Sequence, residues 1–192
     1  MKLFLLRHGE STSDIEDRYG GDYDDHLTEK GLQQAREQAD KLVGKGIEVI
    51  FSSPRIRATE SAGVLKSVLD CELKVVDDLR ERNAYGVLTG MVKSEAKQKH
   101  ADKVELLKHY SYTIEGAESY EALCERVRNV MDKLTSTQHQ IMAILTHGGF
   151  IRCFLREVMK MGAIKSLGDC AIIGLEKNED GYKIISIENV QL

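Results

Sequence analysis

The chain has 192 residues, a net charge of −4, 42% hydrophobic residues and 30% charged residues, which suits one globular domain over residues 1–192. Charges of both signs are mixed along the sequence, which argues against a nucleic acid or a membrane surface as a partner. The four cysteines form no C-x-x-C pair, and no apolar run has signal-peptide or transmembrane length, so we expect reduced thiols and a cytoplasmic protein.

Apolar runs and segments with helical periodicity alternate along the first part of the chain. The short apolar runs predict buried strands, and Thr28 is the N-cap that we expect for the first helix. In chain order, the predicted elements are a strand over 2–6, a helix over 28–43, a strand over 47–51, a helix over 55–69 and a strand over 72–79.

The second half begins with helices and returns to strands. We predict a helix over the lysine-rich stretch 93–110, a helix over 118–134, a strand over 140–145, a helix over 150–160 and a closing hairpin of 170–178 with 181–189. Alternating strands and helices favour right-handed βαβ units. We therefore predict the α/β class, a three-layer α/β/α sandwich with a mostly parallel sheet, and a helical insertion over 84–138.

Three polar motifs follow three of the predicted buried strands. They are R-H-G-E-S after the first strand, S-S-P-R-I-R-A after the second, and T-H-G-G after the strand over 140–145. The carboxyl ends of parallel strands meet at one edge of a sheet, so His8, Arg57 and His147 are expected in one crevice. Glycines beside the two histidines, including Gly148, would let backbone approach a ligand closely.

Two histidines beside two arginines favour phosphoryl chemistry. The guanidinium groups of Arg7 and Arg57 match phosphate oxygens, and a neutral imidazole is a nucleophile that needs no activating base. A leaving alkoxide then needs a proton from a nearby acid. Glu81, just past the third predicted strand, is the best-placed carboxyl group.

These motifs also resemble the histidine phosphatase superfamily, in its phosphoglycerate-mutase-like branch. The resemblance covers residues 6 to 152 and consists of LRHGES (6–11), HLTEKG (26–31), SSPRIRATESA (52–62), LRER (79–82), GAESYEALCERV (116–127) and LTHGGFIR (145–152). The combination of R-H-G, S-S-P-x-x-R-A and H-G-G in the family's order is far more specific than an R-H-G alone.

The resemblance implies a role for each catalytic candidate. His8 would be the phosphorylated nucleophile, and Arg7 and Arg57 would hold the phosphoryl group. His147 would stabilise the transition state. Glu81 would protonate the leaving oxygen and later deprotonate the attacking water. Such enzymes act on small phosphorylated substrates and need neither a metal nor another cofactor.

The resemblance also implies residues that contact phosphate or substrate. Gly20 and Gly21 match a loop whose backbone approaches substrate in mutases, and Ser11 either caps a turn or donates to phosphate. The family usually has Asn where this chain has Asp14, whose charge would repel phosphate unless it is protonated, paired with Arg18 or turned away.

Hydrolysis of a phosphomonoester is favoured over mutase chemistry. Mutases carry an arginine pair in the helical insertion, whereas the stretch 93–116 has lysines and no arginine. Lys93 alone matches a substrate-contacting lysine of mutases. A cofactor-dependent phosphoglycerate mutase and a non-catalytic phospho-ligand-binding module remain alternatives. A metal site from His8, His147 and Glu81 is disfavoured, since the two arginines would repel a cation.

Overall fold

A six-stranded sheet with helices on both faces makes up the computed structural model, which describes residues 1–192. Its elements are, in chain order, β1 (Lys2–Arg7), α1 (Thr12–Ile15), α2 (Glu29–Leu42), β2 (Val49–Ser52), α3 (Ile56–Leu69), β3 (Glu72–Val75), α4 (Lys93–Lys99), α5 (Ala101–Leu106), α6 (Tyr120–Thr135), β4 (Ile141–Thr146), α7 (Gly148–Cys153), β5 (Ser166–Asn178) and β6 (Gly181–Gln191). None of the helices has the length and apolar character that crossing a bilayer requires.

The strand order is β3-β2-β4-β1-β5-β6. The first four strands in this order pair in parallel, and β5 and β6 add an antiparallel edge. Because β4 lies between β1 and β2, the loops that follow these three strands leave the same edge of the sheet side by side. The predicted, mostly parallel sheet is confirmed.

Alternate side chains of the central strands enter two separate cores. Leu3 and Leu5 of β1 pack in a core with α6 and α7, whereas Phe4 and Leu6 pack in a core with α2 and α3. Strands buried on both faces explain why these segments are continuous apolar runs in the sequence. The predicted three-layer α/β/α sandwich is confirmed.

The third predicted strand and the lysine-rich helix are shorter than expected. β3 ends at Val75, and a 3-10 turn follows over Asp77–Leu79, where two adjacent aspartates favour a turn over a strand. The helix predicted over 93–110 breaks at His100, which has φ −141° and ψ 45°, and resumes as α5, which ends at Leu106. Its weak apolar face leaves little packing to keep one helix continuous.

The helix predicted over 150–160 begins earlier, and its geometry changes within it. α7 starts at Gly148, and a π-helical turn over Phe154–Val158 follows it, with Met159 N donating to Phe154 O at 3.1 Å. The short helix α1 had no apolar periodicity to predict it. The closing hairpin is confirmed, with β5 starting at Ser166.

The helical insertion ends earlier than the expected residue 138. The apolar face of α6, including Leu123 and Val127, packs in the larger core, so α6 belongs to a layer of the sandwich. The segment outside the sandwich has its own small core of Leu88, Ala96 and Ile114. The first and the last strand of the chain lie in the same sheet.

Candidate active site

The loops after β1, β2 and β4 bring the three predicted residues together. The ring centroids of His8 and His147 are 4.9 Å apart, and the rings are tilted by 58°. Arg57, in the first turn of α3, reaches the same point, and its Nε lies 3.1 Å from His8 Nε2. All three side chains are buried. The crevice expected from the strand order therefore exists.

The hydrogen bonds of His8 define which of its nitrogens is reactive. Nδ1 lies 2.7 Å from the carbonyl oxygen of Gly9, which can only accept, so Nδ1 carries the proton and Nε2 keeps its lone pair. Burial, together with the guanidinium groups of Arg57 and Arg7, holds the pKa of His8 well below its usual range. His8 is therefore a neutral imidazole, and its Nε2 lone pair accepts a hydrogen bond from Arg57 Nε–H at 3.1 Å.

His147 is completely buried at the start of α7. Its Nε2 lies 2.7 Å from Ser53 Oγ, and the same oxygen accepts from Arg55 N at 3.3 Å. Ser53 Oγ has one proton to donate and a second lone pair to accept with, so this hydrogen bond is compatible with the ring proton of His147 on either Nε2 or Nδ1. That Nδ1 is buried without a partner. Burial and the charge of Arg57 lower the pKa of His147.

Arg57 is held in place by a buried carboxylate that we did not predict. Its Nη1 donates to Asp25 Oδ1 at 2.5 Å and to the Tyr23 carbonyl at 2.6 Å, and its Nη2 donates to the Gly21 carbonyl at 2.8 Å. Burial opposes the charge of Asp25, but Arg57 and the hydroxyl of Ser13 lower the pKa of this carboxyl. The pair fixes the guanidinium beside His8.

Arg7, at the end of β1, is oriented by the irregular part of β5. Its Nη1 donates to the Leu167 carbonyl at 2.8 Å, and its Nη2 lies 3.1 Å from Asp169 Oδ1. The register of β5 shifts between Leu167 and Ile172, which turns this segment toward Arg7. The Nε of Arg7 is buried and has no partner, so one donor remains for a ligand.

Glu81 is held against the start of α7 by backbone groups. Its Oε2 accepts from Gly149 N at 3.0 Å, and its Oε1 accepts from Arg82 N at 2.7 Å. Thr146 Oγ1 donates to the Leu79 carbonyl at 2.6 Å, which ties this loop to β4. The side chains of the flanking arginines bind elsewhere, as expected for an extended segment.

A cavity of about 350 Å³ opens beside Glu81. Five predicted residues line it, Arg7, Gly21, Glu81, Gly148 and Gly149, the last being one of the glycines expected beside the two histidines. Five further lining residues were not predicted, Arg82, Ala84, Tyr85, Arg152 and Leu167. His8, Arg57 and His147 are buried and are not among the residues that line the cavity. Arg152 stands within the T-H-G-G-F-I-R motif, so the motif was a signal that sequence reasoning left unused.

The family model described as the histidine phosphatase superfamily (branch 1) matches residues 3–190. The chain belongs to this superfamily. Among its relatives, a metal-independent phosphoserine phosphatase of Arabidopsis thaliana is 29% identical over 173 residues, which are 86% of this chain and 72% of that protein. A 2,3-bisphosphoglycerate-dependent phosphoglycerate mutase of Parvibaculum lavamentivorans is 29% identical over 171 residues, which are 83% of this chain and 80% of the relative.

Solved structures show the same fold. Bacillus stearothermophilus YhfR superposes with a TM-score of 0.88 at 21% identity, covering 98% of this chain and 96% of the other. The recognised resemblance and the α/β fold class are thus confirmed, as is the prediction of a histidine phosphatase at the level of the family.

Asp14, where members of the histidine phosphatase superfamily usually have Asn, is turned toward its own helix. Its Oδ2 accepts from Ser11 N at 2.9 Å and from Ser11 Oγ at 2.8 Å, in a capping box at the start of α1. Arg18 pairs with Glu16 instead. Neither Ser11 nor Asp14 lines the cavity, and Gly20 does not line it either. Gly20 packs against Ser13, since a Cβ added to Gly20 would lie 3.0 Å from Ser13 Oγ.

Lys93 and Arg55 lie outside the cavity wall. Lys93 pairs with Asp17 at 2.6 Å, and Arg55 pairs with Asp22 at 2.6 Å. No group of three or more His, Cys, Asp and Glu side chains is placed to hold a metal ion.

Proposed function

We propose that this histidine phosphatase hydrolyses small phosphomonoesters in two transfers through His8. In the first, His8 Nε2 forms a bond to phosphorus while the ester P–O bond breaks, and Glu81 gives its proton to the leaving oxygen. In the second, water attacks phosphorus, the N–P bond breaks, and Glu81 takes the proton from water. The products are an alcohol and inorganic phosphate.

The observation that carries the proposal is the unprotonated Nε2 of His8 beside a fixed guanidinium. Nε2 lies 3.1 Å from Arg57 Nε, and the depressed pKa of His8 keeps the ring neutral at pH 7. A neutral imidazole attacks phosphorus without first losing a proton. In phosphoryl transfer, positioning and charge neutralisation do most of the remaining work.

Two buried nitrogens without a partner support a phosphoryl site beside the cavity. Arg7 Nε and His147 Nδ1 have no hydrogen-bond partner in the folded chain. Unsatisfied buried polar groups are rare in native proteins. Phosphoryl oxygens would accept from Arg7 Nε, and from His147 Nδ1 when the ring proton lies on that nitrogen, so Arg7, Arg57 and His147 are assigned to holding the phosphoryl group and stabilising the transition state.

Hydrolysis is favoured over phosphoglycerate mutase activity. Lys93, the one match to a mutase substrate contact in the insertion, is half-exposed and bound to Asp17. A transfer assay on 3-phosphoglycerate, with and without 2,3-bisphosphoglycerate, separates the two activities. We also propose a metal-independent reaction and a cytoplasmic location, in line with the cationic site and the four free cysteines.

The test is hydrolysis of p-nitrophenyl phosphate by wild type and by His8→Ala. We expect activity to fall to the uncatalysed background in His8→Ala while its circular dichroism spectrum stays native, and His109→Ala, an exposed histidine of the insertion, serves as control. EDTA should leave wild-type activity intact, and vanadate should inhibit it. Full activity of His8→Ala would remove the mechanism. Binding of phosphate without any hydrolysis would favour the non-catalytic alternative.

A further inference from the structure

Arg152 belongs to the wall of the cavity and has no role in the two transfers. It lies four positions after Gly148 on α7, and residues at this spacing share one face of a helix. Gly149, whose N–H binds Glu81, lines the same cavity. The half-buried guanidinium of Arg152 therefore lies on the side of the cavity where the leaving group must sit.

The charge of Arg152 is not balanced by any carboxylate. Its one hydrogen bond runs from Nη1 to the Ile164 carbonyl at 3.3 Å. Glu81, whose charge acts to raise the pKa of Arg152, forms no salt bridge with it and accepts instead from two backbone N–H groups. The cavity thus holds a guanidinium that makes no salt bridge in the folded chain.

The surroundings of Arg152 make its charge more costly. Burial, together with the charges of Arg7 and Arg156, lowers the pKa of Arg152. Arg82 also lines the cavity, and its buried Nη2 has no partner. Arg156 stacks over the ring of Tyr110 at 4.3 Å and has no ion pair. Such a cluster of cations is stabilised when an anion enters it.

We propose that Arg152 binds a second anionic group, carboxylate or phosphate, on the leaving group of the substrate. The inference rests on the proposed function and narrows its substrates to phosphomonoesters that carry this additional negative charge. The planar guanidinium offers paired N–H donors that match either anion. Arg152 then acts as a specificity residue, and it orients the ester oxygen toward Glu81.

The experiment compares esters that differ in the second anion. The first pair is 3-phosphoglycerate and glycerol 3-phosphate, which differ by a carboxylate in place of a hydroxymethyl group. The second pair is fructose 1,6-bisphosphate and fructose 6-phosphate. Wild type should prefer the more anionic member of at least one pair by about tenfold to a hundredfold in kcat/KM. A factor of this size corresponds to the free energy of one hydrogen bond to a charged group.

Substitutions of Arg152 test whether this residue causes the preference for the more anionic ester. Arg152→Gln should bring the kcat/KM ratio close to one, and Arg152→Lys should keep part of it. Arg36→Gln removes the same charge from an exposed position on α2 and should keep the full ratio. A ratio is unaffected by a general loss of active protein, so partial unfolding of a variant cannot imitate the result.

The outcomes separate the two proposals. Hydrolysis of p-nitrophenyl phosphate by wild type without a preference in either pair would overturn the role of Arg152 and leave the proposed function standing. A preference that survives in Arg152→Gln would overturn it as well. Absence of all hydrolysis by wild type would overturn the proposed function, and the inference with it.

Discussion

His8 and His147 are buried imidazoles that face guanidinium groups, and this environment sets their protonation. Both pKa values lie below the ordinary 6.5 because burial and the charge of Arg57 disfavour the imidazolium form. The same groups that would bind a phosphoryl dianion therefore keep the nucleophile neutral before substrate arrives. Asp25 restrains Arg57, so the guanidinium does not have to be ordered when substrate binds.

The depressed pKa of His147 predicts how stability depends on pH. As pH falls below 6.5, the unfolded chain takes up a proton at this residue and the folded chain does not, so the free energy of unfolding decreases. The slope contributed by one such histidine is at most about 1.4 kcal/mol per pH unit. Urea denaturation between pH 7.5 and 5 measures it, and His147→Asn should show the shallower slope. Parallel curves for the two proteins would contradict this account.

Motif residues could be predicted from the sequence, whereas their supporting partners could not. Arg7, His8 and His147 follow buried strands, so chain position and chemistry both indicated them. Asp25 is separated from Arg57 by 32 residues and stands in an ordinary acidic stretch. Its role becomes visible only when α3 packs beside that loop. Long-range pairing of this kind leaves no local pattern.

At the scale of elements, the junction of β4 and α7 connects the nucleophilic site to the proposed acid. His147 is the single residue between β4 and α7. Gly149 is the second residue of α7, and its N–H donates to Glu81. Strands β1 and β4 were predictable because both of their faces are buried. The edge strand β3 was not predicted to its correct length, since an exposed strand lacks a continuous apolar run.

The close approach at Gly149 predicts a selective loss of acid catalysis. A Cβ at this position would lie 2.5 Å from Glu81 Oε1, so Gly149→Ala must displace the carboxylate. A misplacement of about 1 Å can cost about 10²-fold in rate. We expect kcat/KM to fall by that order for glycerol 3-phosphate, and by much less for p-nitrophenyl phosphate, whose leaving group needs little protonation.

The matched control is Gly63→Ala in α3, where an added Cβ meets nothing within 4 Å. This variant should keep both activities and gain a little stability, because alanine has the higher helix propensity. Equal losses for the two esters in Gly149→Ala would point to damage at His8 and would contradict the assignment of Glu81 as acid.

At the scale of the whole molecule, a buried ion pair joins the insertion, α6 and the loop that carries Glu81. Arg126 binds Glu118 through Nε and Nη2 at 2.8 and 2.7 Å. Its Nη1 donates to the carbonyl groups of Asp78 and Arg80, at 2.8 and 2.9 Å. The position of Glu81 thus depends on a side chain far along the sequence.

Removal of Arg126 should destabilise the protein and impair the site together. Removing one partner of a buried ion pair lowers the free energy of unfolding by about 3 kcal/mol or more. We expect a loss of this size for Arg126→Met in urea denaturation. Its phosphatase activity should also be reduced. Arg128→Met, an exposed arginine on the same helix, should stay within about 0.5 kcal/mol of wild type. Equal stability of the two variants would show that the pair has no such role.

Capture of the phosphorylated enzyme tests the central claim most directly. Wild type and Glu81→Gln are mixed with p-nitrophenyl phosphate, quenched in alkali and digested, and the phosphorylated peptide is mapped by mass spectrometry. We predict one phosphoryl group on His8, at higher occupancy in Glu81→Gln, because the attacking water then lacks its base. Turnover with the phosphoryl group on another residue, or with no phosphorylated enzyme in either protein, would contradict the account.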